Sequence, residues 1–118
     1  MYGLPRNIDL GFFNGKTLLQ ACFGVHDVIL NFDGHVSVSV TSSLGCMVSG
    51  GSMHAYEDFS QAAPAVLALL NQKVLVAEGD EAGALTLRFD GGGMLAIYDD
   101  SKNYESYVIN NGGQIIVV

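Results

Sequence analysis

A short phrase occurs twice in this chain. Leu30-Asn31-Phe32-Asp33-Gly34 returns as Leu87-Arg88-Phe89-Asp90-Gly91. The likeness extends without a gap over residues 16–34 and 73–91, at an offset of 57. Lys16 falls on Lys73, Leu18 on Leu75 and Leu30 on Leu87, while Leu19/Val76 and Val28/Leu85 keep an apolar residue in place. A supersecondary unit used twice constrains the fold more than any other feature here, because each copy must find a partner for its apolar face.

Each copy reads as β-structure. Val28, Leu30 and Phe32, and in the second copy Leu85, Leu87 and Phe89, share one face at a period of two. Asp-Gly then closes the strand, a turn sequence that works because Gly accepts positive φ. His35 to Val40 alternates polar and apolar residues, and Met94 to Tyr98 is its counterpart after extra glycines. A helix over residues 60–71 links the copies, with Phe59, Ala63, Val66, Leu67 and Leu70 at helical spacing. Ser60 can cap it, but a cap nearer Ala62 would bring Pro64 into the first turn; Asn71 can end it. So short a helix must pack on the sheet to persist. A last hairpin is predicted from Tyr104–Ile109 and Gln114–Val118 around Asn110-Asn111-Gly112-Gly113. Residues 42–56, rich in Gly and Ser, read as a mobile loop around a short strand at Leu44 to Val48. The expected fold is mainly β (α+β). Residues 1–118 form one domain of two related antiparallel β-units, 16–40 and 73–98, in a sandwich, roll or partly open barrel.

Charge narrows the partners. Twelve acidic residues against five basic ones give a net charge of −7. That argues against binding to a nucleic-acid backbone or an anionic membrane and is compatible with a basic partner. Only 14% of residues are charged while 49% are hydrophobic. Apolar surface is therefore available for self-association, and a homodimer formed by sheet-edge pairing is expected. Cys22 and Cys46 are the only cysteines, too few for a disulfide scaffold. No secretory leader pattern opens the chain, and the apolar run Ala62 to Leu70 is too short to span a bilayer. The cytoplasm is the compartment expected, with both thiols reduced.

Candidate chemistry is sparse. Asp99-Asp100-Ser101-Lys102-Asn103 starts like a calcium loop, but Tyr104 and Asn110 stand where that loop needs Gly and Glu. Asp33 and Asp90 read as turn residues rather than a general acid–base pair. Gly50-Gly51-Ser52-Met53-His54 fails as a nucleophile elbow at its last position, and no phosphate-loop lysine occurs. His26, His35, His54 and the two cysteines show no metal-ligand spacing. No cofactor or metal is therefore expected. Cys46 and His54, in one loop, mark the alternative: an enzyme, or a β-barrel binding a small ligand there. The most distinctive cluster is Tyr98, Tyr104, Glu105 and Tyr107. In a strand, Glu105 and Tyr107 would share one face and Tyr104 and Ser106 the other. These aromatics read either as a binding hot spot or as cross-strand packing.

Three stretches also carry a family resemblance: Leu85-Thr86-Leu87-Arg88-Phe89-Asp90-Gly91, Leu95-Ala96-Ile97-Tyr98-Asp99-Asp100 and Tyr104-Glu105-Ser106-Tyr107. Together they resemble a family of small uncharacterised bacterial domains with an LxLxFD strand and a C-terminal YESY motif. Leu18, Gln20, Gly24 and Leu30-Asn31-Phe32-Asp33 are similar to it as well. So is Leu70-Asn71-Gln72-Lys73-Val74, with Asn71 in place of an expected Gly. The resemblance brings no assigned activity. In size and acidity such domains are similar to immunity proteins, which neutralise partner toxins. The functional expectation is a non-enzymatic protein-interaction module, immunity-like, that binds a basic partner.

Overall fold

The alternating stretches build two antiparallel five-stranded sheets in a computed structural model that describes residues 4, 5, 8–101 and 105–118. After a 3₁₀ turn at Gly11–Phe13 come β1 (Leu18–Phe23), β2 (Val28–Phe32), β3 (Val36–Val40), β4 (Ser43–Met47) and β5 (His54–Tyr56). Helix α1 (Phe59–Leu67) follows, then β6 (Val74–Gly79), β7 (Leu85–Phe89), β8 (Met94–Tyr98), β9 (Tyr107–Asn111) and β10 (Gln114–Val117). The first sheet has the order β1-β2-β3-β9-β10 and the second β5-β4-β8-β7-β6. Each half of the chain therefore makes a three-stranded meander and then sends its last two strands into the other half's sheet. β4 pairs with β8, and β9 with β3.

Main-chain hydrogen bonds relate the two halves by an approximate two-fold axis. Its centre is the antiparallel bridge Thr17↔Lys73. Leu18 N donates to Gln72 O at 3.0 Å, and Val74 N to Lys16 O at 2.8 Å. Asn71 N donates to Leu18 O, and Gly15 N to Val74 O, both at 2.8 Å. Gly15 and Asn71 occupy matching left-handed positions, with φ of 80° and 69°. That explains the Asn found in place of an expected Gly, since Asn is the side chain that tolerates this region best.

The symmetry corrects the gapless alignment. Leu18 pairs with Phe32 and Val74 with Phe89, so Leu18 corresponds to Val74 rather than Leu75. A register shift follows each of these residues and leaves Leu19 and Leu75 as matching, exposed bulge residues. Links of unequal length then change the offset strand by strand.

The interior is a sandwich core. Val28, Leu30 and Phe32 from the first sheet face Leu85, Leu87 and Phe89 from the second, all buried. No closed barrel forms; of the sandwich, roll and partly open barrel expected, the two five-stranded sheets make the sandwich. The short strand expected at Leu44 to Val48 is present as β4, and instead of standing in a mobile loop it lies between β5 and β8 with Leu44, Gly45 and Cys46 buried. Gly45 is closely crowded there: a Cβ would stand 2.6 Å from the Tyr98 hydroxyl and 3.3 Å from His54 O, so the Tyr98 side chain would have to move.

The helix also differs from expectation. Its N-cap is Asp58, whose carboxylate accepts from Ser60 N at 3.0 Å and Ser60 Oγ at 2.7 Å. Pro64 consequently sits inside the helix rather than in its first turn. It can supply no N–H to the carbonyl of Ser60, which is an exposed residue. Phe59, Ala62 and Val66 face inward. The helix packs against β4, β1 and β5.

Candidate functional site

The strand directions divide the molecule into two ends. At one end lie the Asp33-Gly34-His35 turn, residues 90–93, the β4–β5 loop, the β9–β10 turn and the Thr17↔Lys73 bridge. At the other lie the β1–β2 link, the β6–β7 link, the approach to α1, and both crossovers between sheets, residues 41–42 and 99–106. Sequence order hides how unevenly charge is shared. Of the twelve carboxylates, eight fall in links at the crossover end: Asp27, Glu57, Asp58, Asp80, Glu81, Asp99, Asp100 and Glu105. In sequence, the 99–106 link carries one cation, Lys102, and the other links contain no Lys or Arg. Lys16 and Lys73 lie at the opposite end beside the bridge.

Hydroxyls organise the crossovers. Thr41 N and Ser42 N both donate to Ser106 O, at 3.0 and 3.1 Å. Thr41 Oγ1 donates to Glu105 O at 2.7 Å, and Ser42 Oγ to Tyr98 O at 2.6 Å. Two serines then engage the paired aspartates. Ser43 Oγ donates to Asp100 Oδ2, and Ser106 Oγ to Asp99 Oδ1 at 2.7 Å. Ser43 and Ser106 are the buried polar residues of the described chain, so these bonds satisfy groups that would otherwise be costly to bury.

Beside this network opens a cleft of about 810 Å³, lined by Val25, His26, Thr41, Ser42, Glu57, Asp58, Phe59 and Glu105. Three carboxylates rim it, and Val25 is 88% exposed at its edge. Four separated links contribute, which is why sequence proximity could point only to Glu105. His26, Glu57 and Asp58 had no local motif; the signal lies in how the strands return to one end.

The other sequence-predicted residues scatter. Tyr107 opens β9 fully buried, and its hydroxyl donates to Gly83 O at 2.7 Å. Burial, and secondarily the Asp80 charge, push its phenol pKa upward. It is a core residue, not the surface anchor expected. Glu105 precedes the strand and is exposed at the cleft, so it does not share a sheet face with Tyr107. Tyr98 is half-buried over Gly45 on the outer face of the second sheet. Tyr104 lies outside the described residues.

Cys46 and His54 are directly opposite in the β4–β5 pairing. Cys46 is buried, however, and desolvation pushes its thiol from 9.0 to about 12, which withholds the nucleophilic thiolate. Asp33 and Asp90 each accept a main-chain hydrogen bond, from Thr17 N at 2.8 Å and Lys73 N at 3.1 Å. They fasten matching turns to matching strand starts. Among the described residues no group of three or more His, Cys, Asp or Glu is placed to hold a metal ion. No helix among them is long and apolar enough to cross a membrane.

A family model matches residues 13–118. The chain belongs to DUF6188, a family of unknown function. The match to DUF6188 spans the residues of both meanders and both crossovers. No curated protein and no solved structure matches the chain.

Proposed function

We propose that this protein is a non-enzymatic interaction module that receives a basic protein partner at its crossover end. The observation that supports this reading is the gathering of eight of twelve carboxylates into links at that end, three of them (Glu57, Asp58 and Glu105) on the rim of a cleft that exposed Val25 also lines. An acidic surface with an apolar edge gives a basic partner both steering and an apolar contact. The hydroxyl network holds residues 41–42 against Ser106, so the rim needs little ordering when a partner arrives. An immunity-like role is the specific form of this reading: an acidic cap that occupies a basic functional surface on a harmful partner.

The test is affinity purification from native cells at low and moderate salt, with mass spectrometry of what is retained. A stoichiometric basic protein, released as salt rises, is the expected result. The Glu57→Gln/Glu105→Gln double variant should lose it. Glu78→Gln, on β6 of the second sheet, should retain it. Retention of the same partner by the double variant would place binding elsewhere.

A further inference from the structure

The two sheets differ in how their edges are protected. Edges β1 and β6 each carry a bulge, their approaches are joined through Thr17↔Lys73, and β6 adds the charge of Glu78. Edge β5 is three residues long and has α1 packed against it. Bulges, charges, shortness and covering elements are the usual means of blocking strand addition.

Edge β10 has neither of the first two, and apart from buried Ile116 its side chains are open to solvent. Ile115 is 62% exposed and Val117 42% exposed. The pairing of β10 with β9, continued by Val118 N donating to Tyr107 O, turns Gln114, Ile116 and Val118 toward β9. Ile115 and Val117 therefore direct their own N–H and C=O groups to the free side.

Charge selects the occupant of this edge. The five strands of the first sheet contain no Asp, Glu, Lys or Arg. A basic partner gains nothing there. Two copies of a chain with net charge −7 repel wherever their acidic ends approach, and a charge-free sheet is where that repulsion is weakest.

We infer that β10 is the self-association edge. It pairs antiparallel with β10 of a second copy about a two-fold axis at Ile116. Ile115 of each copy then lies opposite Val117 of the other, with about four new main-chain hydrogen bonds. The two first sheets join into one ten-stranded sheet, and Ile115 and Val117 form a cross-strand aliphatic cluster. The crossover end, with its cleft, is not consumed, so this inference stands independently of the proposed partner site.

The experiment is sedimentation equilibrium of the purified chain over micromolar to several-hundred-micromolar concentrations. The expected result is a mass that rises with concentration from 12.5 kDa toward twice that value. Ile115→Lys and Val117→Lys should each weaken the dimer at least about tenfold. This direction is diagnostic, because a lysine lowers the net negative charge and would favour association if repulsion alone governed it. Leu75→Lys, at an equally exposed position on β6, should leave the dimer intact, and unchanged thermal melts would show that all three variants fold. A monomer at every concentration overturns the inference. So does a dimer that Leu75→Lys weakens as much as Ile115→Lys.

Discussion

The two links that carry the chain between sheets occupy equivalent places and are built very differently. The first is Thr41-Ser42 alone; the second runs over residues 99–106 and brings Asp99, Asp100 and Glu105. Everything near the axis obeys the symmetry: the bridge, the reciprocal hydrogen bonds, the left-handed pair Gly15 and Asn71, and the turn aspartates. The departure is greatest at the far end. Backbone pairing keeps two halves alike because a strand shifted by one residue turns its apolar face outward. A link has no such constraint, and here the longer one carries much of the acidic surface.

The sharpest test of that contrast compares Tyr107 and Ser43, the first residues of the two exchanged central strands. Tyr107→Ala should lower unfolding free energy by about 3–5 kcal/mol, as expected for emptying a large buried side chain. Ser43→Ala should cost only about 1 kcal/mol, the scale of one hydrogen bond. Urea unfolding of both variants measures this. Equal losses would mean that the two crossovers contribute alike, and the comparison would break.

Alkaline pH should probe the two buried acids that distinguish the sheets. Cys46 in the second sheet and Tyr107 in the first both hold their protons to higher pH when folded than when unfolded. Above about pH 9 to 10 the unfolded chain releases those protons first. Stability must then fall as pH rises, by up to about 1.4 kcal/mol per unit for each group. The stability is fully present below that window. Tyr107→Phe and Cys46→Ala should each flatten the alkaline limb, although each also lowers the neutral-pH baseline.

The symmetric features should give matched, smaller effects. Asp33→Ala and Asp90→Ala should each cost about 1 kcal/mol, because each removes one turn-to-strand hydrogen bond. A difference above about 1 kcal/mol in thermal or urea unfolding would show that the halves are not energetic equivalents. At the bottom of the scale, Glu105→Gln should change stability by less than about 0.5 kcal/mol, since exposed side chains seldom contribute more. A larger change in its melting curve would give Glu105 a structural role.

The hairpins were legible because their chemistry is local. Val28 to Phe32 and Val36 to Val40 alternate without interruption, and Asp33-Gly34 can do little but turn. β4 was legible as a short strand at Leu44 to Val48, but its buried place between β5 and β8 was not, because Ser43, Gly45 and Cys46 look like loop residues until Tyr98 and His54 are known to crowd Gly45. Pro64 misdirected the helix cap, because a proline normally marks the first turn and here sits well inside. The exchange of β4–β5 for β9–β10 left no local trace, since each strand could equally have paired within its own half. The candidate site inherits that blindness: Glu105 was visible as a neighbour of the tyrosines, whereas Glu57, Asp58 and His26 join it only through topology. Tyr107 was misplaced because the two-residue period was carried back through Glu105, while the strand begins only at Tyr107.

The exchange of strands also governs the order in which this chain can become a protein. During synthesis β1, β2 and β3 emerge first, but β3 has no neighbour on its other side until residues 107–111 are available. β4 likewise waits for residues 94–98. Until those later residues are available, the first half lacks the strands that complete its sheet edges. Such a topology makes late, non-local folding the expected behaviour, because the pairings that complete each sheet join residues from opposite halves of the chain.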